Sequence, residues 1–248
     1  MGDNVYQDTY KIPPDCFERK PVLKKIYKQF YQLIAEQVAG DGNSLVVEIG
    51  SGPGNIKEEI PYCLRTGLFP MPWIDRVENA YQLSFAAETV SNLILFDVFH
   101  HLQYPGTALI EFYRVLKPRG RVIIFEPCLS LLGRLIYGVF HHEPMGLKAP
   151  ISWSAPPGWR PEKPVGYAAS MNAWKVFCRH HPKELDKHWN VLIRRPITAI
   201  AYAASGGYSK PQLYPDALLP LMRRIDSVCR FFPILFATRL LVVLEKKE

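Results

Sequence analysis

A glycine turn after a short apolar run limits the possible folds of this chain more than any other stretch. Residues 44–55 read SLVVEIGSGPGN, in which the apolar run ends near Glu48 and glycine then falls at every second position, at Gly50, Gly52 and Gly54. A strand that leads into a glycine-rich turn and then a helix is typical of ligand-binding α/β folds, because glycine lets the backbone approach a ligand closely. Any tight strand-to-helix turn also favours glycine, so the remaining sequence has to identify the ligand.

The spacing of the glycines separates several possible ligands. A phosphate-binding P-loop needs Gly-Lys-Ser/Thr after four spacer residues, and this turn has no such sequence. A nicotinamide dinucleotide turn has the spacing GxGxxG, whereas here the third glycine comes one residue early and Pro53 lies inside the turn. The carboxylate of Glu48 would repel a pyrophosphate and attract an ammonium group. The turn therefore favours a ligand that carries an ammonium group and no phosphate.

Apolar runs and helical patterns alternate on both sides of this turn. The apolar runs predict strands at residues 44–49, 63–68, 74–79, 92–97 and 121–126. Helical spacing predicts helices over residues 18–39, 55–60 and 107–116, and a turn at KPRG, residues 117–120. This alternation is typical of a doubly wound α/β fold with a parallel sheet.

The second half of the chain has a different pattern. Helices are predicted over residues 129–140 and 171–179, an irregular proline-rich stretch over 149–164, and a strand near 189–194. A helix over 217–231 and a strand over 239–246 follow. We therefore expect a single domain with a core at 20–127, a substrate-side insertion at 128–210 above the carboxyl edge of the sheet, and a closing helix and strand at 211–248.

Composition narrows the class of protein. A chain of 248 residues with 48% hydrophobic residues can bury the core of one α/β domain. The net charge of +7 is spread along the chain rather than clustered, so no nucleic-acid partner is expected. The five cysteines are scattered and form no CxxC pair, which favours a reducing cytoplasm over a disulfide framework or a zinc site. No apolar run reaches the ~18 residues that span a bilayer.

Three motifs in the correct order resemble the class I methyltransferases that use S-adenosylmethionine (SAM), in the type 11 group that includes the quinone-biosynthesis C-methyltransferases. VVEIGSGPG is similar to the first motif of that family, LILFDVFHHL to its strand-4 motif, and RVLKPRGRVIIFEP to the helix and strand that follow. The resemblance extends over about residues 44–127. It implies a Rossmann-like, seven-stranded, mostly parallel sheet with an antiparallel last strand, and SAM as the cofactor, which carries an ammonium group and no phosphate.

The resemblance also implies which residues hold the cofactor. Glu48 lies near the amino group of SAM, and the glycines let the backbone approach the methionine end. The residues that match the family's contacts to this end and to the end of strand 4 are Glu48, Gly50, Ser51, Gly52, Gly54 and Asp97.

The match departs from the family at the ribose and adenine. Family members usually carry an acidic residue at the end of strand 2, because a carboxylate accepts from both ribose hydroxyls. Gly67, which has no side chain, stands at that position. Glu78 or Asp75 supplies the carboxylate only if the strand register differs from the predicted one. At the adenine, Asn79 and Ala80 stand where the family has Asp-Ala, so an acceptor oxygen is kept and the charge is lost.

Several side chains are candidates for the chemistry. Methyl transfer from a sulfonium mainly needs binding, orientation and exclusion of water, and a base only when the acceptor must lose a proton. His100 and His101 follow strand 4 and either stabilise the loop or contact the acceptor, and His142 in FHHEP is either a substrate-facing base or a surface residue. Glu126 ends strand 5, where it meets substrate or caps the next helix. No metal site is expected.

The sequence therefore predicts a SAM-dependent methyltransferase that acts on a small-molecule, lipid or saccharide acceptor. A non-catalytic protein of the same fold, serving as a partner or scaffold, is the alternative. Nucleic-acid methylation is disfavoured, because amino-base methylation uses a (D/N)PP(Y/F) motif where this chain has DVFHH. The apolar stretch 131–140 and the aromatic residues of the insertion line a substrate pocket, belong to the core, or rest on a membrane. The expected location is the cytoplasm, with peripheral contact to the inner membrane face.

Overall fold

A computed structural model of the chain describes residues 15–40, 44–52, 55–140, 144–161 and 167–248. Within these residues, seven strands form one sheet in the order β3-β2-β1-β4-β5-β7-β6. From β3 to β5 every neighbouring pair is parallel, and β7 runs antiparallel to both β5 and β6. The predicted doubly wound sheet with an antiparallel last strand is confirmed. The strands are β1 (Val46–Ile49), β2 (Leu64–Gly67), β3 (Arg76–Val77), β4 (Val90–Phe96), β5 (Leu116–Pro127), β6 (Trp189–Thr198) and β7 (Ala237–Lys246).

Helices lie between the strands and cover both faces of the sheet. They are α1 (Cys16–Arg19), α2 (Pro21–Ala35), α3 (Pro105–Val115), α4 (Leu131–Leu135), α5 (Asn172–Trp174), α6 (Lys183–His188), α7 (Ile200–Ala204), α8 (Leu219–Cys229) and α9 (Pro233–Phe236). Single 3-10 turns occur at Ile56–Glu58, Phe99–His101 and Asp216–Leu218, and π-helical turns at Ile136–Phe140 and Lys175–His180. No helix in the described ranges has the length and hydrophobicity that crossing a membrane requires.

The core has two halves, one on each face of the sheet. Every residue of β1 and β4 is buried, as expected for parallel strands that helices cover on both sides. On one face, Phe112 of α3 packs in a cluster with the alternate residues of β4 and β5. On the other face, Phe30 of α2 packs with Phe96 and Phe125 at ring-centroid distances of 6.1 and 4.9 Å.

Some elements differ from the sequence prediction. The helix expected over 18–39 is divided at Lys20, because Pro21 starts a new helix, and it ends at Ala35. The helix expected over 55–60 is a single 3-10 turn, Ile56–Glu58. KPRG does not form a separate turn but continues β5, with Arg119 at φ 61° and a register shift opposite Val90. Helix α6 was not predicted.

The carboxyl edge of the sheet brings the candidate site residues together. The chain order reverses between β1 and β4, and ligands of open α/β sheets bind in the crevice beyond such a reversal. Because β7 is antiparallel, its first residues lie at the same edge, and Arg239 pairs with Pro127 at the end of β5. Residues after β1, β2, β4 and β5 therefore share this edge with the start of β7.

Candidate functional site

The glycine turn after β1 contains two described glycines with different roles. Gly50 has φ 69°, and a Cβ atom there would lie 2.6 Å from Cγ2 of Val98, so both the backbone and the packing require glycine. A Cβ atom on Gly52 would meet no heavy atom of the described residues within 4 Å. No described residue therefore fills the space beside Gly52, and its role in holding the cofactor stays a prediction. Gly54 lies outside the described residues.

Glu48 is the penultimate residue of β1 and is buried. Its carboxylate accepts hydrogen bonds from the hydroxyl of Ser51 and, at 3.3 Å, from the hydroxyl of Tyr31. Burial raises the pKa of Glu48 to about 7, against the opposite effect of these two hydrogen bonds. A carboxyl group of this kind changes charge near neutral pH, and a cation bound beside it would favour the ionised form.

The position expected to bind the ribose carries no acceptor side chain. Gly67 ends β2, and a Cβ atom there would lie 3.1 Å from Cδ1 of Ile74. The carboxylate of Asp75 is bound by Arg65 and Lys57, which hold the pKa of Asp75 well below its ordinary value. The nearby space is thus apolar, and Asp75 is committed elsewhere.

Glu78 does not replace the missing ribose acceptor either. It is buried, and its carboxylate accepts from the backbone N–H of Ser84 at 2.8 Å, from the Ser84 hydroxyl, and from Arg76 at 2.8 Å. Its backbone N–H donates to the carbonyl of Gly67 at 2.9 Å, which fixes the register of β2 and β3. This register keeps Gly67 at the end of β2, and its place at the ribose stays a prediction.

The predicted adenine end is in contact with the proline-rich segment. Asn79 donates to the carbonyl of Pro161 at 2.9 Å, and its side-chain oxygen accepts from the backbone N–H of Tyr81 at 3.0 Å. Ala80, the next residue, is partly buried against the core. The ring of Trp159 packs edge-on against Tyr81, with centroids 4.9 Å apart. The segment thus borders the predicted adenine end, whereas no described residue fills the space beside Gly52, at the predicted methionine end. The residues present fit the methionine half of SAM and lack the usual carboxylate for the ribose.

Asp97, which is partly exposed, forms an ion pair with the buried Arg239 that the sequence analysis missed. It follows β4 with φ 54°, and both of its carboxylate oxygens accept from Arg239 at 2.6 Å. Arg239 is 1% exposed, and its guanidinium lies within 6 Å of four aromatic rings, those of Phe30, Phe96, Phe125 and Tyr202. The pair fixes the loop after β4 to the start of β7. The single charged residue at the beginning of the apolar run RLLVVLEK was the available signal.

His100 and Glu126 form a buried polar pair. Glu126, which is 0% exposed, accepts from Nδ1 of His100 at 2.6 Å and from the backbone N–H of Phe99 at 2.6 Å. Burial raises the pKa of Glu126, and the neighbouring His100 opposes that rise. His101 is held differently, with Nδ1 3.0 Å from the carbonyl of Tyr167. Glu126 thus holds the His100 ring and does not cap the next helix, where Ser130 accepts from the N–H of Gly133.

Asp97, His100 and Glu126 lie close enough together to hold a metal ion, with ligand atoms within 4.8 Å of one another. Each carboxylate already has other partners, however, and the buried guanidinium of Arg239 supplies positive charge at this point. We therefore interpret the cluster as a polar network that joins the ends of β4 and β5 to β7. His142 lies outside the described residues.

Comparisons with known proteins agree with the fold and the motifs. A family model described as a methyltransferase domain, of the type 11 group, matches residues 70–124. The structure of the N-methyltransferase NodS from Bradyrhizobium japonicum WM9, in complex with S-adenosylhomocysteine, is 13% identical, with 99% of this chain and 100% of that chain covered and a TM-score of 0.52. A SAM-dependent methyltransferase of Thermotoga maritima, described as a possible histamine N-methyltransferase, is 15% identical, with 94% and 95% covered and a TM-score of 0.52.

At these identities the two structures establish the fold alone, which is that of the class I SAM-dependent methyltransferases. The family match over residues 70–124 agrees with the resemblance to the type 11 group in that part of the chain. A search of curated proteins found no match to the chain.

Proposed function

We propose that the chain binds SAM at the carboxyl edge of the sheet and transfers its methyl group to a small-molecule, lipid or saccharide acceptor. The observation that supports this most is the space beside Gly52, which no described residue fills and which follows the buried carboxyl of Glu48 in the turn. When bound, SAM supplies an electrophilic methyl group on its sulfonium. The protein's part is to bind and orient the two reactants and to exclude water.

Each end of the cofactor has its own set of residues in this proposal. Glu48 attracts the ammonium group, and the backbone of Gly50, Ser51 and Gly52 approaches the methionine end. Asn79 and Ala80 border the adenine. Asp97, held in place by Arg239, closes the site after β4.

Where the molecule that receives the methyl group must lose a proton, His100 takes that proton in this proposal. Its ring is buried and oriented by the 2.6 Å contact between Nδ1 and Glu126, an arrangement that stabilises an imidazolium when it forms. Glu126 acts through His100 and is a positioning residue. His101 lies against His100, with ring centroids 4.1 Å apart, on the side of Tyr167.

The first experiment is a calorimetric titration of the purified protein with SAM and with S-adenosylhomocysteine. We expect binding by the wild type and its loss in Gly52→Val, because the added side chain enters the space in which the proposal places the ligand and which no described residue fills. Ala86→Val, which adds the same side chain at an exposed position before β4, is the matched control. Unchanged binding by a folded Gly52→Val variant would refute the assignment of the turn.

A screen of acceptors against the SAM-binding protein then tests His100. For an acceptor that loses a proton, His100→Gln lowers kcat while KM for SAM is unchanged. Glu126→Gln shifts the pH dependence of kcat, because the ring loses its charged partner. Equal kcat values for the wild type, His100→Gln and Glu126→Gln would show that His100 stabilises the loop and takes no part in proton transfer.

A non-catalytic role is the second candidate function, and the ribose position favours it. Gly67 has no acceptor, Ile74 packs at the same point, and Asp75 and Glu78 are bound to other groups. The lost contact corresponds to roughly 1–3 kcal/mol of binding free energy. Folded protein that binds neither SAM nor S-adenosylhomocysteine in the titration would favour this partner or scaffold role.

A further inference from the structure

A group of apolar side chains is exposed at the carboxyl edge of the sheet. They belong to α4 and the π-helical turn after it, and to α8 and α9, and we call residues 131–139 and 221–235 together the apolar–basic face. Helix α9 packs against α4, so the two segments of the apolar–basic face are neighbours in space. The most exposed members are Leu131, Val139, Val228, Phe231, Phe232 and Ile234, of which Ile234 is 83% and Phe231 69% exposed.

The exposure on α8 follows the helical repeat. Leu221, Ile225 and Val228 are spaced by four and three residues, so they lie on one side of the helix, and all three are exposed. The opposite side packs inward, where Leu219 is buried. An amphipathic helix normally buries its apolar stripe, so α8 presents to solvent a surface that is suited to an apolar environment.

Positive charge accompanies these apolar side chains. Arg224 lies on the same side of α8 as Leu221 and Val228, and the guanidinium of Arg230 lies 5.1 Å from the ring centroid of Phe231. Arg134 stands three residues after Leu131 on α4. Long basic side chains that keep their charge in water beside buried apolar groups are typical of a helix at a membrane surface.

Negative charge on the apolar–basic face is turned inward. Asp226 is the one acidic residue in residues 131–139 and 221–235. Its carboxylate accepts from the backbone N–H groups of Ile200 and Ala201, at the start of α7, at 2.6 and 3.3 Å. The outward charge is therefore positive, which favours an anionic partner and opposes pairing with a second copy of the same face.

We propose that the apolar–basic face binds the surface of an anionic lipid bilayer, with the apolar side chains inserted among the acyl chains and Arg134, Arg224 and Arg230 at the headgroup phosphates. Helix α4 begins four residues after β5 ends, and α9 leads directly into β7. Docking through these helices would hold the carboxyl edge, with its candidate site, close to the lipid. The proposal concerns binding alone and does not depend on methyl transfer.

The test is co-sedimentation of the full chain with vesicles of phosphatidylcholine, with and without phosphatidylserine. We expect binding that requires phosphatidylserine and weakens at high salt, because exposed basic groups interact with the anionic surface. Phe232→Ser/Ile234→Ser is expected to weaken binding tenfold or more, on the order of what two exposed apolar side chains contribute. Arg134→Gln/Arg224→Gln is expected to weaken it by roughly a factor of five for each arginine.

Matched control variants change the same residue types away from this face. Ile110→Ser removes an exposed apolar side chain on α3, and Lys117→Gln/Arg119→Gln removes two exposed charges on β5. Both are expected to bind vesicles as the wild type does. Absence of binding to phosphatidylserine vesicles, or equal binding by face and control variants, would overturn the proposal. A dimer in solution that Phe232→Ser/Ile234→Ser abolishes would overturn it as well, by assigning the face to a second copy of the chain.

Discussion

Replacement of Glu48 by glutamine tests whether the buried carboxyl of the glycine turn has the electrostatic character described above. Glutamine has nearly the same shape and cannot ionise, so the change removes only the charge and one acceptor. The carboxylate accepts from Ser51 and Tyr31 in the native protein. The amide can accept from one of these hydroxyls, so the loss of about one hydrogen bond is expected, on the order of 1 kcal/mol.

The charge has a larger effect than the hydrogen bond, and its sign depends on pH. Burial raises the pKa of Glu48 from 4.5 to about 7, so the folded state binds the proton more tightly than the unfolded state does. The protonated carboxyl is accommodated at low pH, and the associated stability is lost as the pH rises from 4.5 through 7. At pH 8 this loss amounts to about 3 kcal/mol, at about 1.4 kcal/mol for each tenfold difference in the proton affinity.

Glu48→Gln should therefore be less stable than the wild type by about 1 kcal/mol at pH 4, similar in stability near pH 5, and more stable by about 2 kcal/mol at pH 8. Urea denaturation of both proteins at a series of pH values measures the difference in the free energy of unfolding. Glu36→Gln, which makes the same substitution at an exposed position, is the matched control. A difference between Glu48→Gln and the wild type that does not change sign with pH would refute the reasoning about the buried carboxyl.

Three further predictions concern the same edge of the sheet. Gly67→Asp with Ile74→Ala, which makes room for the new side chain, should tighten SAM binding tenfold or more by calorimetry, and unchanged affinity would place Gly67 outside the ribose contact. Asp97→Asn should lower the free energy of unfolding by about 3 kcal/mol in a denaturation assay, because it leaves the buried Arg239 without its counter-ion, while asparagine tolerates φ 54°. A second change at Arg239 to methionine should recover part of that loss, and additive losses would argue against the ion pair. SAM affinity should weaken about tenfold per pH unit below pH 7, since the ammonium group favours ionised Glu48, and Glu48→Gln should remove this slope.

Most of the strands could be predicted because their signals are local. β1, β4 and β7 are buried along their whole length or nearly so, which gives uninterrupted apolar runs in the sequence. The glycine turn at Gly50 was equally predictable, since its positive φ and its contact with Val98 involve residues at the ends of the adjacent strands β1 and β4. In these strands and at Gly50, the required residue type depends on the burial and the backbone conformation of the segment itself.

β6 shows where the local signal fails. It pairs only with β7 at the edge of the sheet, and its residues alternate between buried or partly buried and exposed positions before Arg194 and Arg195. An edge strand with one exposed side has a weak apolar run, so the prediction stopped at residue 194, within the insertion, whereas β6 continues to Thr198 and belongs to the main sheet. The extent of the strand is set by pairing with β7, which lies some fifty residues later in the sequence.

The polar contacts of the site could not be predicted, because they join distant parts of the chain. Arg239 and Asp97 are 142 positions apart and meet only because β7 is antiparallel to β5. The contact of Glu126 with His100 depends in the same way on the register of β4 and β5. The sequence identified Asp97, His100 and Glu126 as candidates from their places after strands, but their partners follow from the register.

The two ends of the candidate cofactor site differ in how they could contribute to binding. At the ribose end, Gly67 offers no acceptor, and the missing contact corresponds to roughly 1–3 kcal/mol. At the methionine end, a cation beside Glu48 would relieve the unfavourable burial of its charge, which amounts to about 3 kcal/mol above pH 7. These two quantities are of similar size and opposite sign. Affinity for SAM is therefore expected to depend on the amino-acid end more than on the nucleoside end, and S-adenosylhomocysteine, which carries the same ammonium group, should bind with a similar dependence on pH.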